Sequence, residues 1–148
     1  FFELHGKEVL VLRKEVPGHL VNRLQAALFQ EAVWLVREGI ASTSDVDRGI
    51  AFGPALRWAL MGTFLTFHLG AERGIAGYLE SLGGAHLQMW QDLGRVDAWT
   101  PELVRSIANQ MSAETRDRRS SDLTRQRDEA LVGLLNFLAN PRHRLISE

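Results

Sequence analysis

The chain has 148 residues, 45% apolar and 24% charged, with a formal net charge of −1 from 17 Lys plus Arg against 18 Asp plus Glu. That is the size and make-up of one globular domain, and so even a charge balance supplies no attraction to nucleic acid or to an anionic membrane, neither of which is expected as a partner. Cysteine is absent, which excludes disulfides and thiolate chemistry and permits the cytoplasmic location expected here.

The chain opens Phe1-Phe2-Glu3-Leu4-His5-Gly6-Lys7, with no Met and no basic segment leading into a uniform apolar run, so it reads as a fragment without a signal peptide. Glu8-Val9-Leu10-Val11-Leu12 is β-branched and apolar, bounded by Gly6 and by Arg13-Lys14-Glu15, and predicts one strand. Val16-Pro17-Gly18 then breaks the pattern, because Pro17 holds its predecessor extended and Gly18 permits a turn. A single strand is not a stable sheet. It needs a partner from another chain or from a domain outside these residues.

From His19 to about Glu38 the period becomes helical. Leu20, Leu24, Ala27, Leu28, Glu31 and Leu35 share one face, and Val21, Phe29, Ala32, Val33 and Val36 widen it, which predicts a helix buried on more than one side. Gly39 is placed to end it in a left-handed cap. Ser42-Thr43-Ser44 offers an N-cap for a short helix through Asp45, Val46 and Asp47, and Gly53-Pro54 ends that element and opens the next. Ala55–Leu82 predicts one short and one longer helix joined near Gly62 or Gly70. Its most apolar part, Ala55–Leu69, is interrupted by Arg57, Gly62 and His68 and is too short for a membrane span.

Gly83-Gly84 is expected to stop the second of these helices, with Leu87, Met89, Trp90 and Leu93 in a further short one ended by Gly94. Thr100-Pro101-Glu102 is a start signal, with Leu103, Ile107 and Met111 repeating behind it. Ser112–Ser121 reads as a loop or a frayed helix end. Ser121 or Asp122 starts the last helix, whose core face carries Leu123, Ala130, Leu131, Leu134, Leu135 and Leu138, and Asn140-Pro141 closes it. One strand followed by about five to seven helices is not a complete α/β domain. The class is all-α.

Asn22 is the sharpest candidate for chemistry. It sits one turn into an apolar helix, just after the Pro-Gly break, where an amide needs a bond. Either it bonds the turn backbone or caps the helix, or it faces a cleft and donates to a substrate oxygen. His19 stands at the mouth of the same helix, and Arg23 belongs at a surface or interface. Glu31, in the core stripe, needs a partner, and Arg57 in Leu56-Arg57-Trp58 is the expected one; alternatively Arg57 grips a substrate carboxylate or phosphate. The histidines His5, His19, His68, His86 and His143 show no metal-site spacing, and His68 reads as a core residue. Trp34, Trp58, Trp90 and Trp99 read as core or subunit contacts. G-x-G-x-x-G, G-x-x-x-x-G-K-[ST] and G-x-S-x-G are all missing.

The phrase Val16-Pro17-Gly18-His19-Leu20-Val21-Asn22-Arg23-Leu24 resembles the 3-hydroxyacyl-CoA dehydrogenase superfamily at the junction where its nucleotide domain hands over to its helical domain. The likeness continues through Glu31-Ala32, Glu38-Gly39, Asp45-Val46-Asp47 with Gly53, and Arg127-Asp128-Glu129. Gly53-Pro54-Ala55-Leu56-Arg57-Trp58-Ala59-Leu60-Met61-Gly62, then Thr66-Phe67-His68-Leu69, looks most like the carnitine 3-dehydrogenase and L-gulonate 3-dehydrogenase branch. Thr63 departs from the Met-Gly-Pro-Phe phrase of the acyl-CoA members, which belong to fatty acid metabolism.

The resemblance implies a multi-helix fold like the C-terminal domain of 6-phosphogluconate dehydrogenase, with residues 1–16 the remnant of an N-terminal NAD-binding domain and 17–148 the helical substrate and dimerisation domain. The segment Phe1–Leu12 then corresponds to the final helix turn and strand of that Rossmann domain. It implies an oxidoreductase that turns a 3-hydroxyl into a 3-keto group on carnitine, on an L-gulonate-like acid or on 3-hydroxybutyryl-CoA, with NAD as cofactor of the full-length enzyme and none bound by this part, which alone is expected to be inactive. Asn22 matches the family's substrate-contacting Asn, with His19 and Arg57 as further candidates for substrate binding; the catalytic His is expected upstream. The implied partners are the Rossmann domain, a second copy in a homodimer and a small 3-hydroxy acid. The competing reading is a non-catalytic helical interaction domain.

Overall fold

The chain is described here by a computed structural model covering residues 9–116, 118–143 and 145. Local punctuation sets most of the boundaries. Helix α1, Val21–Arg37, stops where Gly39 enters the left-handed region at φ 69°. There the Gly39 amide donates to Val36 O at 3.1 Å and the Ile40 amide to Leu35 O at 2.9 Å, the paired bonds of a Schellman cap.

Helix α2, Thr43–Phe52, begins with a reciprocal capping box between Ser42 and Asp45. Helix α3, Pro54–His68, takes Pro54 into its first turn, where a missing N–H costs nothing, and breaks at Gly62, φ 67°. Helix α4 is Gly74–Asp92. Helix α5, Pro101–Thr115, is capped by Thr100, whose hydroxyl accepts from Leu103 N at 3.2 Å. Helix α6, Ser120–Leu138, is followed by a 3-10 turn at Pro141–His143, so Asn140-Pro141 closes it as expected.

Four expectations need correction. No strand forms among the described residues: residues 9–12 carry no regular structure, because a lone strand has nothing to bond, and Phe1–Glu8 lie outside the described residues. Gly83-Gly84 does not stop α4, which runs on to Asp92; a mid-helix glycine costs about 1 kcal/mol without forbidding the helix. Of Ser112–Ser121, read as a loop or a frayed helix end, Ser112 to Thr115 continue α5 as regular helix, held by Thr115 Oγ1 donating to Met111 O at 2.8 Å and by the half-buried Glu114 facing α2. The wide apolar face of α1 exists, but residues 21–30 are all exposed and only Val33 is buried.

Helix α2 is the hub, packing against α1, α3 and α5, with α4 laid on α3. The core is small: Val33 at 3% exposure and Leu103 at 6% are the buried large apolar residues among those described. No single described helix is long and apolar enough to cross a membrane; only α2 and α3 taken together, bent by 60°, reach that length and composition.

Candidate functional site

The site region begins at a turn. His19 N donates to Val16 O at 3.0 Å, with Pro17 second and Gly18 third at φ 79°, the arrangement of a type II turn. A Cβ on Gly18 would lie 3.3 Å from Arg23 N, so glycine serves both the backbone angle and the close approach. His19 follows at φ 49°, a left-handed conformation costing a non-glycine residue about 1–2 kcal/mol. The two left-handed residues swing the chain into α1 and set His19 and Asn22 on one hollow of about 400 Å³, with Leu10, Leu12 and Glu15 on its other walls.

Asn22 occupies the second position of α1. No side chain caps that helix at Leu20, and among the described residues the Asn22 amide has no hydrogen bond. The capping role open to it in the sequence is therefore not taken. It also lines a second, larger apolar groove of about 760 Å³ between α1, α2 and α5, which runs past Phe29, Val46, Ile50 and Met111. Asn22 is thus the residue common to both hollows.

The remaining candidates go elsewhere. Arg57 is exposed on α3 and lines neither hollow, and α3 packs on α2 and α4. The expected Glu31–Arg57 pair does not form among the described residues. Glu31 Oε2 instead accepts from Gly94 N at 2.7 Å, while Gln30 Nε2 donates to Gly94 O at 3.4 Å and Arg37 donates to Arg95 O at 3.2 Å. Gly94 is buried against the Trp34 ring so closely that a Cβ would overlap it. The carboxylate in the core stripe is thus met by a backbone amide, and α1 clamps the α4–α5 connection. His68, expected in the core, is exposed on α3; its Nδ1 accepts from Ile75 N at 3.3 Å near the start of α4. Arg23 is exposed.

Second ties hold the groove's floor. Thr43 N, an unpaired first-turn amide of α2, donates to Gln110 Oε1 of α5 at 2.9 Å, and Thr43 Oγ1 donates to Glu114 Oε2 at 3.4 Å. Asp45 accepts from Ser42 Oγ at 2.5 Å and from Ser42 N at 3.1 Å. Those two bonds, with a smaller pull from Arg48 and against slight desolvation, hold its carboxyl below the ordinary 3.8. Gln25 and Asp47 on the groove and Glu15 in the smaller hollow escaped the sequence reading. Gln25 lies three residues from Asn22, and the run 22, 25, 29, 32, 36 has helical spacing that marks a single face. Glu15 carries no such signal.

Residues 18–98 match the family described as the 3-hydroxyacyl-CoA dehydrogenase C-terminal domain. The chain is 39% identical to the L-carnitine dehydrogenase of Bacillus cereus over 93% of its own length and 42% of that protein's. It is 41% identical to the L-carnitine dehydrogenase of Streptomyces coelicolor over 91% and 42% of the two chains. It is 37% identical to the L-carnitine dehydrogenase/betainyl-CoA thioesterase of Ruegeria pomeroyi over 90% and 28%. The chain thus spans less than half the length of these curated relatives.

Proposed function

Since the chain belongs to the family of 3-hydroxyacyl-CoA dehydrogenase C-terminal domains, we propose that it is the substrate-side half of an NAD-dependent dehydrogenase acting on a compact 3-hydroxy acid of the carnitine class. The observation that carries the reading is Asn22, an amide without a partner among the described residues at the meeting point of two hollows. The names of the relatives support the substrate class.

In this reading Asn22 Nδ2 donates to the oxygen of the reacting carbon and fixes its direction. A neutral donor suits an oxygen that passes from hydroxyl to carbonyl, since it bonds both without fixing a charge. His19, on the same hollow, closes its mouth and contacts the rest of the substrate. Arg57 keeps a substrate role only if the assembled enzyme brings an anionic group to its exposed face.

The chain's own residues do not fit a dinucleotide: it has no G-x-G-x-x-G, and the described residues contain no strand to deliver such a turn. The cofactor site, the catalytic His and the remaining substrate contacts are assigned to a Rossmann domain in the rest of a relative-sized protein. In this reading residues 1–16 belong to the end of that domain and the linker, and 17–148 form the helical domain that dimerises. A cytoplasmic location belongs to the same reading, and the isolated chain is expected to be inactive and to give no heat with NAD in a titration.

Asn22→Ala in the full-length enzyme is expected to lower kcat/KM about 10²–10³-fold, the usual cost of losing one positioned donor, with an unchanged circular dichroism spectrum. A variant as active as the parent removes Asn22 from the reaction. Steady-state comparison of L-carnitine, L-gulonate and 3-hydroxybutyryl-CoA decides the substrate, with L-carnitine expected to have the highest kcat/KM.

A further inference from the structure

The two hollows that meet at Asn22 differ in charge. Asp47 is the sole Asp, Glu, Lys or Arg among the described residues that line the large groove. The small hollow carries both signs, Lys14 and Glu15, beside the amide of Asn22 and the apolar walls of Leu10 and Leu12. Both charged side chains are exposed. Among the described residues neither has an ion pair or a side-chain hydrogen bond, so they do not neutralise each other. Consecutive residues of opposite sign thus leave two separate poles on one hollow.

Local geometry keeps those poles near the amide. The turn folds Val16 back on His19, with His19 N 3.0 Å from Val16 O. Gly18 packs on the first turn of α1, where a Cβ would stand 3.3 Å from Arg23 N. Glu15 before the turn and Asn22 after it are therefore drawn onto one cavity of about 400 Å³, within the range of about 300–1,000 Å³ usual for small-molecule sites.

The shape of a 3-hydroxy acid decides which ligand uses both poles. Its carboxyl carbon stands two bonds from the hydroxyl carbon, and so does the first atom of any group carried on carbon 4. Two bonds span about 2.5 Å, so a charge at either end is met by the same hollow that meets the reacting oxygen. An acid with no cationic group engages Lys14 and brings its carboxylate onto a hollow that also holds Glu15, a like charge. A zwitterion engages both poles.

Resting on the reading that Asn22 addresses the reacting carbon, we infer that Glu15 is a specificity-determining residue that faces the cationic group on carbon 4 of a zwitterionic 3-hydroxy acid, while Lys14 faces its carboxylate. A quaternary ammonium suits this hollow. It has no N–H to satisfy, and it needs a counter-charge and apolar contact for its methyl groups, which Glu15 and the leucines supply. The two poles also fix which end of the substrate points which way, so that one face of the hydroxyl carbon is presented.

The test uses the full-length enzyme carrying this sequence and two ligands, L-carnitine as substrate and 3-hydroxybutyrate, the same acid without the ammonium, as competitive inhibitor. Glu15→Gln is expected to raise KM for L-carnitine about tenfold, with kcat and the Ki of 3-hydroxybutyrate unchanged within about twofold. Glu15→Asp, which keeps the charge, is expected to recover most of the loss. Lys14→Met is expected to raise KM and Ki together, since both ligands carry the carboxylate. A Glu15→Gln variant that weakens both ligands alike, or lowers kcat at constant KM, makes Glu15 a structural residue and overturns the inference. An unchanged KM for L-carnitine overturns it too, and so does a rise with Asp47→Asn in place of Glu15→Gln, which would move the cationic end to the groove. In each of those outcomes an inactive Asn22→Ala leaves the reading of Asn22 standing; an Asn22→Ala variant as active as the parent ends both.

Discussion

The two halves of α1 differ in how far the rest of the described chain covers them. Its C-terminal half is enclosed: Val33 is buried, Glu31 and Gln30 hold both polar atoms of Gly94, and Trp34 covers that glycine. Its N-terminal half, beginning at the site, is exposed throughout, with Leu24 at 65% and Phe29 at 57%. Sequence alone does not separate them, since the same apolar breadth runs through both. The difference lies in what the chain can supply for itself. The connection after α4 reaches the second half and closes it, and nothing among the described residues closes the first. Packing is thus concentrated in one half of the helix, and the proposed site lies in the other.

The largest effect that sharpens this contrast is expected at the clamp. Gly94→Ala places a methyl inside the Trp34 ring and displaces the amide that Glu31 holds. A cost of about 3 kcal/mol is expected, read as a lower urea midpoint with an unchanged slope. A variant as stable as the parent means the connection is not clamped. A glycine in the exposed half of α6, Gly133, meets nothing within 4 Å, and Gly133→Ala is expected to stabilise the helix by about 1 kcal/mol.

Glu31 and Arg57 come next. Glu31→Leu removes the acceptor for a buried amide and is expected to cost about 2 kcal/mol. Arg57→Met, on an exposed side chain with no partner among the described residues, is expected to change stability by less than about 0.5 kcal/mol. The two should add without coupling; an interaction energy above about 1 kcal/mol in a double-mutant cycle would restore the ion pair expected from the sequence. A tenfold rise in KM for Arg57→Met would return Arg57 to the substrate.

These cases show which information a single sequence carries. Helix ends are local, so Gly39, Ser42, Gly53-Pro54 and Thr100-Pro101 were readable from a few neighbouring residues. Asn22 and His19 were readable as a pair because three residues of separation place them at one turn. Glu31 was visible as a group needing a partner, but the partner is a backbone amide 63 positions away, and an amide has no letter of its own. Gly83-Gly84 misled because a glycine pair weakens a helix and marks an end only when the backbone turns left-handed, as at Gly39 and not there. The face of α1 was read correctly as apolar and wrongly as covered, since periodicity shows which side chains share a face and not which element packs on it.

A last and modest effect tests the hub on which α1 packs. Ser42 caps α2 and donates twice to Asp45, so Ser42→Ala is expected to cost about 1 kcal/mol at neutral pH. Its pH dependence has a definite sign. Asp45 has a folded-state pKa depressed below 3.8, so its contribution is present above the unfolded value and fades as pH falls through the folded one. The gap between parent and Ser42→Ala should therefore hold steady from about pH 7 to pH 5 and narrow as the carboxylate titrates below about pH 4. Urea midpoints of the pair across that range check it. A gap that does not change on acidification means the hydroxyl acts through the Asp45 backbone amide alone, and the carboxylate half of the capping box then adds nothing to the cap.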